Sequence, residues 1–164
     1  MPFTLRMAGP DDAAVICDLI LGLADYEKLG HEAKPDPDAL RQHLAENANP
    51  RCETVLAEDK ITGETVGFAL FFPNYSTFLT RWGMYLEDLY VKPGFRGRGI
   101  GFALLKRVAQ IAVARGAERL DWSVLGWNTP AIDFYHQLGV QAMDDWRGMR
   151  LTGTALLRLG QPTA

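Results

Sequence analysis

One stretch constrains this chain more than any other. Tyr85 to Val91 reads as a strand, Pro93-Gly94 closes it, and Arg96-Gly97-Arg98-Gly99-Ile100-Gly101 follows. An amphipathic helix then begins, with Ile100, Leu104, Val108 and Ile111 on one apolar stripe and Leu105 and Ala112 beside it. Gly116 sits where that helix should be capped. A strand that hands over to a helix through a glycine-rich turn belongs to a mixed α/β architecture.

The rest of the sequence fits the same class. Phe3 to Met7 alternates like a strand, and Gly9-Pro10-Asp11-Asp12 starts a helix whose apolar positions Val15, Leu19 and Leu23 run to about Leu29. A second helix is expected over Pro37–Asn47, then strands over Cys52–Ala57 and Val66–Phe72 joined by a turn at Thr62-Gly63. Leu120, Trp122 and Val124 alternate with polar residues as in a strand. Asn128-Thr129-Pro130 offers a cap and a first-turn proline for a short helix ending before Gly139. Val140 to Leu159 is read as two final strands, and Gly160 to Ala164 as a frayed tail.

With 164 residues, the chain has the length of one domain, spanning 1–164, at about 100–200 residues per domain. The net charge of −3 speaks against a nucleic-acid partner held by a generally basic surface. No run of apolar residues is long enough to span a membrane, and the first residues lack a signal-peptide pattern, so a cytoplasmic location is expected. Cys17 and Cys52 form no disulfide framework or zinc pattern, and His31, His43 and His136 lack metal-ligand spacing, so no metal is expected.

Glycines in a strand-to-helix turn let the backbone approach a ligand, and the helix start adds a partial positive charge suited to phosphate. A plain structural turn can look the same. The local charge is one-sided, however: from Lys92 to Arg115 the chain carries Lys92, Arg96, Arg98, Lys106, Arg107 and Arg115, with no Asp or Glu. A solvated helix face usually mixes both signs. A dinucleotide fingerprint would follow the first strand of a βαβ unit, and a P-loop would end in Gly-Lys-Ser or Gly-Lys-Thr; neither holds here. Coenzyme A is then the leading phosphate-bearing ligand.

Arg96 to Gly101, placed after a strand, resembles the pyrophosphate-binding signature of the GNAT acyl-CoA N-acyltransferases. Tyr85 to Val91 and Trp127 to Tyr135 resemble more narrowly the spermidine/spermine (diamine) N-acetyltransferases, some of whose relatives acetylate the lysine analogue thialysine. Leu23 to Leu29, Tyr75-Ser76-Thr77 and Val124 to Asn128 lean towards the thialysine branch. The resemblance runs from Phe3 to Leu157. It implies a seven-stranded, mostly antiparallel sheet with about four helices, splayed between its fourth strand, Tyr85 to Val91, and its fifth, Leu120 to Leu125. It also implies acetyl-CoA as co-substrate and a homodimer.

Residue by residue, the resemblance gives the pantetheine arm to the backbone of Leu89, Tyr90 and Val91. It gives the pyrophosphate to Arg96, Gly97, Arg98, Gly99, Ile100, Gly101 and Phe102. Asn128, Thr129, Pro130 and Ala131 line the other wall of the thioester site, which Tyr135 also borders. Glu87 and Asp88 bind the substrate amine, Glu87 being the route for its proton, and Tyr26 and Glu27 match the substrate-contacting pair. Tyr135 is the acid that protonates the departing thiolate.

The chemistry asks for such groups. A lysine-like amine has a pKa near 10.4, so its free base at neutral pH is scarce by roughly 4–5 kcal/mol. Carboxylates attract the cation, and a base removes its proton directly or through water. Regular alternation would point Glu87 and Asp88 to opposite faces, whereas a bulge would bring both to the substrate. The plainer alternatives are a surface acidic pair, a solvated Glu27 and a core tyrosine at 135. One departure stands out: Arg147, within Met143 to Gly148, would repel the far amine of a polyamine if it occupies the place of the diamine enzymes' acidic residue.

Overall fold

The alternating segments become a sheet of five strands among the described residues: β1 (Phe3–Met7), β2 (Glu53–Asp59), β3 (Thr65–Ser76), β4 (Arg81–Val91) and β5 (Leu120–Trp122). The order in space follows the order in sequence; every neighbouring pair is antiparallel except β4 and β5, which are parallel. The structure is a computed structural model that describes residues 2–49 and 51–161. Two compact units are present, Met1–Leu125 and Gly126–Ala164. All five strands lie in the first.

Helices α1 (Ala13–Tyr26) and α2 (Pro37–Leu44) cover one face of the sheet, and α3 (Ile100–Ala114) packs across β2, β3 and β4. Ala13, Ile16 and Leu19 of α1 meet Leu44, Leu56, Phe68, Leu70 and Tyr90 in the buried cluster on the first face. The period of two then turns Val55, Ala69 and Val91 to the opposite face, towards Leu104 and Val108 of α3. Asp36 caps α2 by accepting from the Asp38 and Ala39 amides. Helix α1 stops at Tyr26, short of Leu29, because Lys28 takes a left-handed conformation (φ 62°) and the Leu29 amide turns back to the Ala24 carbonyl at 2.8 Å.

Strand β5 pairs with β4 only from Met84 to Leu86. Along residues 87–91, one edge of β4 therefore has no strand partner among the described residues. That opening is the expected splay.

In the second unit, α4 (Thr129–Gln137) starts at Asn128 and stops before Gly139, as the proline and glycine dictate. The Asn128 carbonyl accepts from Ile132 at 3.0 Å, so it caps through its backbone; its side chain makes no cap hydrogen bond. Two expectations need correction, the pair of strands over Val140 to Leu159 and the seven-strand count that included them. Val140 to Leu159 forms no strand, and its second half is instead α5 (Gly153–Leu159), so the described residues hold five strands and five α-helices. The physical reason is local: Ala155, Leu156, Leu157, Arg158 and Leu159 are strong helix formers, and a helix satisfies its own backbone where a strand needs a partner. Of the tail, Gly160 and Gln161 continue from α5, while 162–164 lie outside the described residues.

Candidate active site

The open stretch of β4 carries a bulge. Leu70 of β3 stands opposite Asp88, yet the next residue, Phe71, stands opposite Leu86, so Glu87 is the extra residue. The consequence is a change of face. Tyr85 pairs with Phe72 and Asp88 with Leu70, both on the α1 side of the sheet. Two residues three apart thus share one face, which an unbroken strand forbids. Tyr85 stacks on Phe72 with ring centroids 5.5 Å apart, and its hydroxyl lies 2.9 Å from the Ser123 hydroxyl.

Asp88 is half-buried there, whereas Glu87 is exposed. Burial first, then the negative charges of Glu87 and Glu27, push the Asp88 carboxyl from an ordinary value near 3.8 up to about 6. Glu27, the residue on which α1 ends, is also held above its usual value by burial. An anionic corner therefore forms from the end of one helix and the bulge of one strand. Carboxyls perturbed in this way cluster at functional sites.

Beyond the bulge, the backbone of β4 is laid out for a second extended partner. The Lys92 amide donates to Val66 of β3 at 2.8 Å and the Tyr90 carbonyl lies against Gly67 of β3. Alternation then turns the N–H and C=O groups of Leu89 and Val91 to the open edge, and those of Tyr90 inward. After a short 3-10 turn at Pro93–Phe95, Gly97 and Gly99 take left-handed conformations (φ 72° and 78°), and Gly99 is the residue on which α3 begins. The Ala103 amide is the first to close the helical ladder, on the Gly99 carbonyl at 3.0 Å. The amides of Ile100, Gly101 and Phe102 precede that ladder, which is the geometry that receives an anion. The residues present fit a pyrophosphate.

The one-sided charge has a partly structural explanation. Lys92 pairs with Glu64 at 2.6 Å, and Arg115 binds Glu53 with a second contact at 2.9 Å. Arg98 donates to the Gly94 carbonyl at 3.0 Å and lies over the Phe95 ring. Arg96 turns away from the glycines towards Val91 and the rings of Tyr26 and Tyr90. Lys106 and Arg107 are exposed on α3.

In the second unit, Tyr135 is half-buried near the end of α4, 5.3 Å from the Phe134 ring, and burial pushes its phenol above the ordinary value of 10. It holds its proton at neutral pH. Asn128 is buried, Ala131 half-buried, and Thr129 and Pro130 exposed. Cys17 is buried and Cys52 half-buried, with burial raising both thiols above 9.0; thiolate chemistry is disfavoured there. No group of three metal-binding side chains occurs among the described residues.

The sequence alone placed Tyr26, Glu27, Glu87 and Asp88 on the elements where they are found. It did not reveal that Asp88, rather than Glu87, is the more enclosed carboxylate, nor where the Arg96 side chain points. Neither has a signal in a single sequence, because both depend on which face a bulge and a turn present.

A glycine turn opening a helix beside a splayed, bulged strand defines a class of acyl-transfer protein, and comparison with known proteins agrees. Residues 21–140 match the model of the acetyltransferase (GNAT) family. The chain belongs to that family and is an acetyltransferase. It is 38% identical to thialysine N-epsilon-acetyltransferase of Bos taurus, over 94% of this chain and 95% of that one. It is 48% identical to L-ornithine N5-acetyltransferase of Arabidopsis thaliana over a shorter stretch, 60% of this chain and 43% of that protein. Among solved structures, an integron cassette protein from the mobile metagenome of V. cholerae matches with a TM-score of 0.80 at 24% identity, covering 99% of each chain. That likeness concerns the fold alone.

Proposed function

We propose that the protein transfers the acetyl group of acetyl-CoA to a terminal primary amine of a small basic molecule. The first candidates are lysine-like and ornithine-like amino acids; diamines and polyamines come second. The observation that carries this reading is the acidic corner of Glu27, Glu87 and Asp88 at the bulge of β4, next to the turn that opens α3. Three carboxylates at one corner suit a cation, and a carboxyl with a pKa of about 6 is better matched to a proton leaving an amine than an ordinary aspartate. The relatives named for thialysine and ornithine favour an amino-acid substrate.

In this reading the ammonium group docks among Glu27, Glu87 and Asp88 and gives one proton to a carboxylate, either Glu87, directly or through water, or Asp88. The freed lone pair attacks the thioester carbonyl carbon, and the C–S bond breaks as the C–N bond is completed. The nitrogen loses its second proton to the same acidic corner, the CoA thiolate takes the phenolic proton of Tyr135, and solvent returns a proton to the phenolate as the acidic corner releases its two. Leu89 and Val91 pair with the pantetheine arm, with Tyr90 between them. The backbone from Gly97 to Phe102 receives the pyrophosphate, helped by Arg98, and Asn128 to Ala131 line the thioester.

Substitution tests it. Glu87→Gln and Asp88→Asn are each expected to lower kcat/KM for the amine by about 100-fold, the lower end for a removed general base, while the Kd for CoA by titration calorimetry stays within about two-fold. Loss of CoA affinity with unchanged use of the amine would contradict the assignment.

A further inference from the structure

Arg96 opens the phosphate turn, and the family resemblance gives it to the pyrophosphate. Its side chain goes the other way. Nε donates to the Val91 carbonyl at 2.8 Å, and the guanidinium lies 4.3 Å from the centroid of the Tyr26 ring and 5.6 Å from that of Tyr90. Both distances fall within the reach of a cation–π contact. Val91 ends β4, Tyr26 ends α1, and Arg96 begins the turn into α3. One side chain therefore ties three elements at the point where they converge.

What those elements carry gives the tie its meaning. Tyr26 is followed by Glu27, and Tyr90 lies two residues beyond Asp88, on the same face of β4. One turn before Tyr26, α1 carries Gly22, and a Cβ there would stand 2.7 Å from the Tyr90 hydroxyl. Helix α1 thus rests on Tyr90, and Arg96 lies against the Tyr26 and Tyr90 rings of the same junction. A planar guanidinium suits this task, because it can stack on one ring while its Nε holds a carbonyl; a lysine ammonium would do only one of the two.

We propose that Arg96 is a positioning residue for the amine, rather than a ligand of the pyrophosphate. It fixes the end of α1, and with it Tyr26 and Glu27, against Asp88 to Val91, so that the phosphate turn and the acidic corner are held in one geometry. The pyrophosphate is left to the backbone of the turn. The inference rests on the reading of Glu27 and Asp88 as the amine's binding groups.

The experiment compares the wild-type protein with Arg96→Met, Tyr26→Leu and the double variant, after melting curves establish that each is folded. Arg96→Met is expected to raise the KM for the amine about tenfold, the loss of one modest contact, with the Kd for CoA changed less than about two-fold. The double variant should show no further rise beyond the larger single effect, since the two side chains act through one contact. Independently of any amine, hydrogen exchange of the amides over residues 24–29 should speed up in Arg96→Met. A drop in CoA affinity with an unchanged amine KM, effects that multiply in the double variant, or unaltered exchange over 24–29 would each overturn the inference. If the wild-type protein acetylates none of the amines offered, the proposed function fails while the exchange measurement still decides whether Arg96 holds α1.

Discussion

At the scale of single residues, the most informative group is Asp88. Its carboxyl is held near 6 in the folded chain against about 3.8 when unfolded, chiefly by burial. Between those values the folded state keeps a proton that the unfolded state releases, so folding stability falls as pH rises through about 4 to 6 and stays lower above. Asp88→Asn removes that penalty. At pH 7.5 it is expected to stabilise the protein by on the order of 1–3 kcal/mol, at 1.36 kcal/mol per pH unit, while impairing turnover. Below about pH 4 the two proteins should melt alike. Denaturant unfolding at the two pH values checks this; an Asn variant that is less stable at pH 7.5 would show that the site is not strained. The trade of stability for charge is what a built binding corner looks like. Of this, the sequence displays the adjacent carboxylates and the helix-end glutamate. The enclosure of Asp88 is invisible to it, because it depends on the face to which the bulge in β4 turns that residue.

At the scale of elements, the strand–turn–helix unit from β4 to α3 is the part most fully written in the sequence. Its apolar stripe, its glycines and its closing Pro93-Gly94 are local signals, and each appears where expected. The bulge at Glu87 is different in kind: it is a matter of register between β3 and β4 and has no local signature. The error over Val140 to Leu159 has the same origin, since alternation there competes with local helix propensity and only a partner strand could decide it. Gly99 offers a test at this scale. With φ at 78° and no atom within 4 Å of where a Cβ would stand, Gly99→Ala strains the backbone without a clash. A cost of about 1–2 kcal/mol in stability is expected, with CoA affinity reduced about tenfold as the turn distorts. An alanine variant that binds CoA as wild type does would show that the turn is a connector only.

At the scale of the whole molecule, the described residues leave several large apolar side chains in solvent, among them Phe78 in the first unit and Met149, Leu157 and Leu159 in the second. Single exposed apolar side chains are ordinary on a soluble protein, so the homodimer implied by the family resemblance is a matter for a solution measurement. Light scattering after gel filtration should return twice the chain mass of 18.2 kDa; a mass of one chain at micromolar concentration would count against the dimer. No helix among the described residues is long and apolar enough to cross a membrane.

The central claim is that an acetyl group passes from acetyl-CoA to a small cationic amine. Thiol release from acetyl-CoA, measured against thialysine, lysine, ornithine, putrescine, spermidine and spermine, tests it most directly. Release with thialysine or ornithine is expected to exceed that with spermidine and spermine, and to fall as pH drops through about 6 with the protonation of Asp88. No release with any of these amines, from protein that binds CoA, would contradict it.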